Sequence, residues 1–163
     1  MLHEFTPTVA NPKQVSLMTS IKNCMTHDHR RCDDSFAQVE QAVAAQQWDR
    51  ASVGFSGFAS AMRQHFAAEE ELLFPAFERK TGMTMGPTQV MRDEHEQMRE
   101  LITAAQQAVL AKDADDYSGH AETLLIMMQQ HNMKEENVLY PMCDDHLHDQ
   151  VDVLLTQLQP RLK

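Results

Sequence analysis

Apolar residues recur along most of this chain at steps of three and four, the pattern of helices buried on one face. The first stripe is Met18, Ile21, Met25, His29, Cys32, Phe36, Val39 and Val43, and it breaks near residues 46–49. The second is Phe58, Met62, His65, Glu69, Leu72 and Ala76. Arg79-Lys80 and then Gly82 predict the end of that helix. Pro87 suits a helix start, and the third stripe follows as Met91, His95, Met98, Ile102, Ala105 and Val109. Asp113 or Asp115 can cap a fourth helix, with Leu124, Met128, His131, Glu135, Val138 and Met142 on its inner face. Val151, Leu154, Leu155 and Leu158 predict a short tail helix that ends at Pro160. No segment sustains the alternation of a strand. The expected fold is therefore all-α: an antiparallel up-down four-helix bundle over residues 14–145. An irregular arm precedes it over 1–13, and a C-terminal helix and tail follow over 146–163.

The polar residues inside those stripes are the notable part. His29 and His65 stand 36 residues apart, as do His95 and His131, and the second pair repeats the first after 66 residues. Glu69 and Glu135 each lie four residues after a histidine. HFAAEEELLFP (65–75) matches HNMKEENVLYP (131–141) in His, two Glu, Leu and Pro, with Phe against Tyr. Met25 maps to Met91, Met62 to Met128 and Asp28 to Glu94. The helix pair is thus an internal repeat, which implies a pseudo-twofold axis through the bundle.

Residues four apart on a helix are about 40° apart, so each Glu shares a face with its His. One core histidine usually finds an ordinary hydrogen bond. Four imidazoles and two carboxylates buried without partners would cost several kcal/mol. Two metal ions would satisfy all six together. Mixed imidazole and carboxylate donors suit iron, manganese or zinc rather than magnesium or calcium. The candidate ligands are therefore His29, His65, Glu69, His95, His131 and Glu135. A provisional division gives His29 and His65 to one ion and His95 and His131 to the other, with the glutamates between.

The remaining candidates read more plainly. His27 is about 200° around the helix from His29 and should face outward. His3, His120, His146 and His148 lack a repeat partner and should be solvated. Glu70 and Glu136 are about 140° from the histidine that precedes them, which suits a supporting or surface role. Cys32 reads as core near the site, and Met62 and Met128 as packing that shields it. Pro75 and Pro141 should kink or end their helices beyond the site.

Composition narrows the partners. The chain has 163 residues, enough for one domain, and abundant Ala, Gln, Glu, Leu and Met, all good helix formers. Its net charge of -10 and lack of a basic patch argue against nucleic acid and an anionic membrane surface. No apolar run is long enough to span a bilayer, and the first residues do not read as a signal peptide. Three cysteines without a CxxC predict reduced thiols and a cytoplasmic location. The tail helix could close the bundle or form a homodimer contact.

The motifs resemble the hemerythrin-like family, or HHE cation-binding domain. The carrying residues are His29 in HDHRRCDD, His65 and Glu69 in HFAAEEELLFP, His95 in DEHEQM, and His131 and Glu135 in HNMKEENVLYP. The resemblance covers roughly residues 14–145. It implies a four-helix bundle around two non-haem irons with an oxo or hydroxo bridge, spanned by Glu69 and Glu135. Oxygen-carrying hemerythrins have a further His four residues after the third one, where this chain has Arg99. Neither iron then has three histidines, and an unidentified seventh ligand could fill the gap. Their last carboxylate is an Asp five after its His; here that slot is Glu136, and Glu135 fits the HHE pattern. A ferritin-like bundle would use Glu-x-x-His, but Thr26, Met62, Arg92 and Met128 precede the four histidines by three. The expected function is binding or sensing of a small diatomic molecule, O2 or NO, or handling of iron. The alternative is an enzyme acting on NO or peroxide, or an iron donor that repairs damaged centres.

Overall fold

The structure, a computed structural model, describes residues 18–163. The arm over 1–13 and His3 lie outside the described residues. Among those described there are five helices and no strand. Helix α1 is Ile21–Ala44. Helix α2 covers residues 48–81, α-helical over Trp48–Ala68, π-helical over Glu69–Leu73 and α-helical again over Phe74–Thr81. Helix α3 is Pro87–Leu110. Helix α4 covers residues 114–146, with Glu135–Leu139 in a π turn between Ala114–Lys134 and Tyr140–His146. Helix α5 is Val151–Leu158 and runs into a 3₁₀ turn, Gln159–Leu162.

Local chemistry sets the boundaries. The Ser20 hydroxyl accepts from the Asn23 N–H at 3.0 Å, and the Asp113 carboxylate accepts from Asp116 N–H at 3.0 Å. Gly82 ends α2 in the left-handed region at φ 74° and donates to Glu78 O at 2.8 Å. Asp144, near the end of α4, receives the N–H of Ile21 at 2.8 Å and so ties that end to the start of α1. The turns after α1 and α3 are alike: Gln46 and Lys112 both adopt positive φ, 55° and 57°.

Helix α1 packs on α2, α2 on α3, α3 on α4, and α4 returns to α1. The ring encloses two apolar clusters. One holds Cys32, Phe36, Phe58, Phe66, Met98 and Tyr117 among others. The other holds Ile21, Met25, Leu73, Phe77, Met91 and Cys143, and the tail leucines Leu154, Leu155 and Leu158 close it. The candidate ligands interrupt each stripe between these clusters, as His29 does between Met25 and Cys32. The bundle is a helical frame with a polar layer across its middle.

The π turns change two expectations. Of the two outcomes expected at Pro75 and Pro141, a kink or an end, the end does not occur: both helices continue past the proline. Proline lacks an N–H and clashes with the carbonyl four residues back. A wider turn before each proline, closed by Phe74 N–H to Glu69 O and by Tyr140 N–H to Glu135 O, accommodates both defects. The extra residue also rotates the buried face by one position. Val138, expected inside, is 53 % exposed, and Leu139 is buried instead. Likewise Leu72 is only half-buried while Leu73 is buried.

Candidate metal centre

All six candidate ligands meet in that polar layer, 0–4 % exposed. They form two groups that share a glutamate. Glu69, His95, His131 and Glu135 present donor atoms that all lie within 4.8 Å of one another, as do His29, His65 and Glu135. His95 Nε2 is 3.1 Å from Glu69 Oε2, and His131 Nε2 is 3.1 Å from Glu135 Oε1. On the other side, His29 Nε2 is 3.1 Å from both His65 Nε2 and Glu135 Oε2. His65 Nε2 is 3.5 Å from Glu69 Oε1. Each glutamate therefore turns one oxygen to each side.

The outer ring nitrogens are held from behind. His29 Nδ1 lies 2.7 Å from Glu136, and His95 Nδ1 2.7 Å from Glu70. His65 Nδ1 lies 2.8 Å from Asp28, and His131 Nδ1 2.8 Å from Glu94. An ionised carboxylate only accepts, so every Nδ1 carries a proton and donates it. Every Nε2 is thereby aimed inward, where it can bind a cation once it gives up any proton it carries. Three of these carboxylates are steadied in turn: Asp28 by Arg31, Glu70 by Arg99 at 2.9 Å, and Glu94 by Lys134.

Charge follows this geometry. Burial works against a charged His29, but hydrogen bonds to Glu135 and Glu136 outweigh it and hold its pKa above the usual range. Burial likewise opposes charge on His65 and His131. The facing carboxylates raise both, His131 to about 9. Burial would raise Glu69, but the His65 and His95 imidazoles hold it well below the ordinary value. The hydrogen bond from His131 brings Glu94 down to about 2.

Four buried side-chain atoms near the centre, Glu69 Oε2, His95 Nε2, His131 Nε2 and Glu135 Oε1, face each other in pairs at 3.1 Å without the alignment of a hydrogen bond. They are the donors of one group, facing one another. An unpartnered buried polar group costs about 1–3 kcal/mol, so a cluster of four calls for an occupant. Donors bound at roughly 2.1 Å to one ion stand about 3 Å apart, close to the spacings here. The residues fit a cation.

A family model, the hemerythrin HHE cation binding domain, matches residues 21–143. The chain belongs to that family. No curated protein and no solved structure matches it. For this HHE domain, His27 is exposed, as expected of a residue on the opposite face. His146 and His148 are exposed, and His120 is half-buried beside Asp116. Cys32, Met62 and Met128 are core residues. Arg99 is bound to Glu70 and Glu96 and lies over the Phe66 ring.

Three residues at the centre escape a reading of the stripes. Asp28 and Glu94 orient His65 and His131 across helix boundaries. Their signal is present in the sequence, since each stands one residue before a repeated histidine. Tyr140 reaches the centre because of a π turn, which no helical period reveals.

Proposed function

We propose that this HHE domain is a non-haem di-iron protein that binds or senses a small diatomic molecule, O2 or NO, or handles iron. Under this reading His29 and His65 hold one iron, His95 and His131 the other, and Glu69 and Glu135 bridge them within an antiparallel, internally repeated four-helix bundle. The observation that carries it is the set of four mutually facing, unpartnered donors on the His95 side. Mixed imidazole and carboxylate donors favour iron, with manganese and zinc as competitors. Two irons joined by an oxo or hydroxo bridge would supply electrons to a ligand at an open position. The chain's own part is to fix the imidazoles, exclude water and balance charge. Near-complete burial of all six residues favours a ligand of a few atoms over a larger substrate. The cytoplasm is the proposed compartment, in keeping with three buried free thiols.

Elemental analysis of untagged protein after anaerobic ferrous loading tests this reading. Two irons per chain are expected. One zinc, or no metal, would overturn it, and catalytic turnover of NO or peroxide beyond one equivalent per site would make the protein an enzyme instead. The carboxylates behind the histidines give a graded check. Asp28→Asn and Glu94→Gln are each expected to weaken iron binding by roughly 10–100-fold with helicity retained. Unchanged affinity by competition with a chelator would mean the inward aim of the imidazoles does not depend on them.

A further inference from the structure

The near-mirror arrangement of the centre fails at one pair of positions. Residue 74 is Phe, and its counterpart 66 residues on is Tyr140. Both rings are fully buried. Phe74 stacks near the His95 ring, 5.8 Å between centroids, and offers no donor. The Tyr140 hydroxyl instead enters the other half. It donates to Glu69 Oε1 at 2.6 Å or Glu135 Oε2 at 2.8 Å, and lies 3.2 Å from His29 Nε2 and 3.4 Å from His65 Nε2.

Those four neighbours are the donors of the His29–His65 side, and the phenol oxygen stands at ligand-to-ligand spacing from every one. On the His95–His131 side no described residue plays this part, and the four donors there face one another without an aligned hydrogen bond. The π turn explains the placement. Residues five apart in an α-helix diverge by about 140°. The wider turn closed by Tyr140 N–H and Glu135 O carries both side chains to the same centre.

We propose that Tyr140 is a seventh protein ligand, its phenolate oxygen binding the ion held by His29 and His65. This rests on the di-iron reading above. Binding there would require the Tyr140 hydroxyl to give up its proton to solvent, as the imidazoles would give up theirs. Beyond the two shared glutamates, His29, His65 and Tyr140 would hold one ion and His95 and His131 the other, so an open position would fall on the His95–His131 ion. A histidine at position 99 would create the opposite asymmetry, because that position follows His95 by one turn of α3. With Arg99 committed to Glu70 and Glu96, the added ligand comes from α4 and serves the other ion.

The chain has two tyrosines, which makes the test clean. Tyr117 donates to Glu40 and lies fourteen residues before His131, about 20 Å along the helix. Protein loaded with ferrous iron and oxidised in air is expected to show a visible phenolate-to-ferric charge-transfer band. Resonance Raman excited in that band should give tyrosinate ring modes. Tyr140→Phe should lose both signals while keeping two irons per chain, and Tyr117→Phe should keep them. Wild-type protein with two irons and no tyrosinate modes would overturn the assignment and leave the di-iron reading standing, even if Tyr140→Phe failed to fold. A band that survives in Tyr140→Phe would also overturn it. Wild-type protein that takes no iron would overturn both readings.

Discussion

A Glu69→Gln chain is expected to hold no iron under conditions where the parent chain holds two. Glu69 turns Oε2 toward His95 and Oε1 toward His65 and Tyr140, so its charge serves both sides at once. Glutamine keeps the length and shape but loses the anion and one acceptor oxygen. Substitution of a residue behind a ligand costs roughly 10–100-fold, and loss of a bridging ligand should exceed about 100-fold at both positions. Glu135→Gln should behave the same way. His131→Ala removes a ligand of one side only, so one iron per chain should remain. His27→Ala, on the exposed face, should keep two. Elemental analysis and titration of ferrous iron under nitrogen read all four. Two irons in Glu69→Gln would show that this carboxylate does not bridge.

The stripes and the 66-residue shift were enough to place six residues in one buried layer. A histidine within an apolar face must follow that face inward, and a Glu one turn later follows it. The limits of the sequence lie in the π turns. A period of 3.6 carried past Glu135 puts Val138 inside and leaves Tyr140 off the face, whereas the structure exposes Val138 and buries Tyr140. One inserted residue per turn is enough to do this. Pro75 and Pro141 mark the sites, because a proline inside a continuing helix requires the preceding turn to open. The sequence alone predicts a kink or an end there, since the same chemistry permits either outcome and only packing decides. Asp28 and Glu94 were visible as repeated neighbours, but pairing with a histidine on the next helix depends on how the helices face each other.

The π turns also tie the frame to the chemistry. Each begins at a candidate bridging glutamate, and strained or irregular helical turns often occur at functional sites. Here the turn has a direct effect: it brings the residue five positions on toward the same centre. The two halves use this differently. In α2 that residue is Phe74, a wall for His95; in α4 it is Tyr140, a hydroxyl donor among the candidate ligands. The difference between Phe and Tyr at matching turns thus gives the two halves of the candidate centre different polar surroundings.

Metal and protons should compete for the centre, with opposite effects of pH on the two forms of the protein. His131 is raised to about 9 and His65 lies well above its usual value. A raised imidazole binds its proton more tightly when folded, so its contribution to stability is complete below the unfolded value near 6.5. That contribution is lost as pH rises through about 9. The depressed glutamates act the other way, but only in acid, below the ordinary carboxylate value. Metal-free protein should therefore lose melting temperature steadily between about pH 6.5 and 9. Iron displaces the same protons, so the added stability on loading should grow across that window. At a hundredfold excess over its dissociation constant, each ion adds about 2.7 kcal/mol. Two such ions should raise the melting temperature of a chain this size by roughly 10–20 °C. Anaerobic scanning calorimetry with and without a chelator measures both trends. A melting temperature that does not respond to iron would separate the histidine frame from metal binding, and a metal-free form that gains stability through this window would contradict the protonated imidazoles.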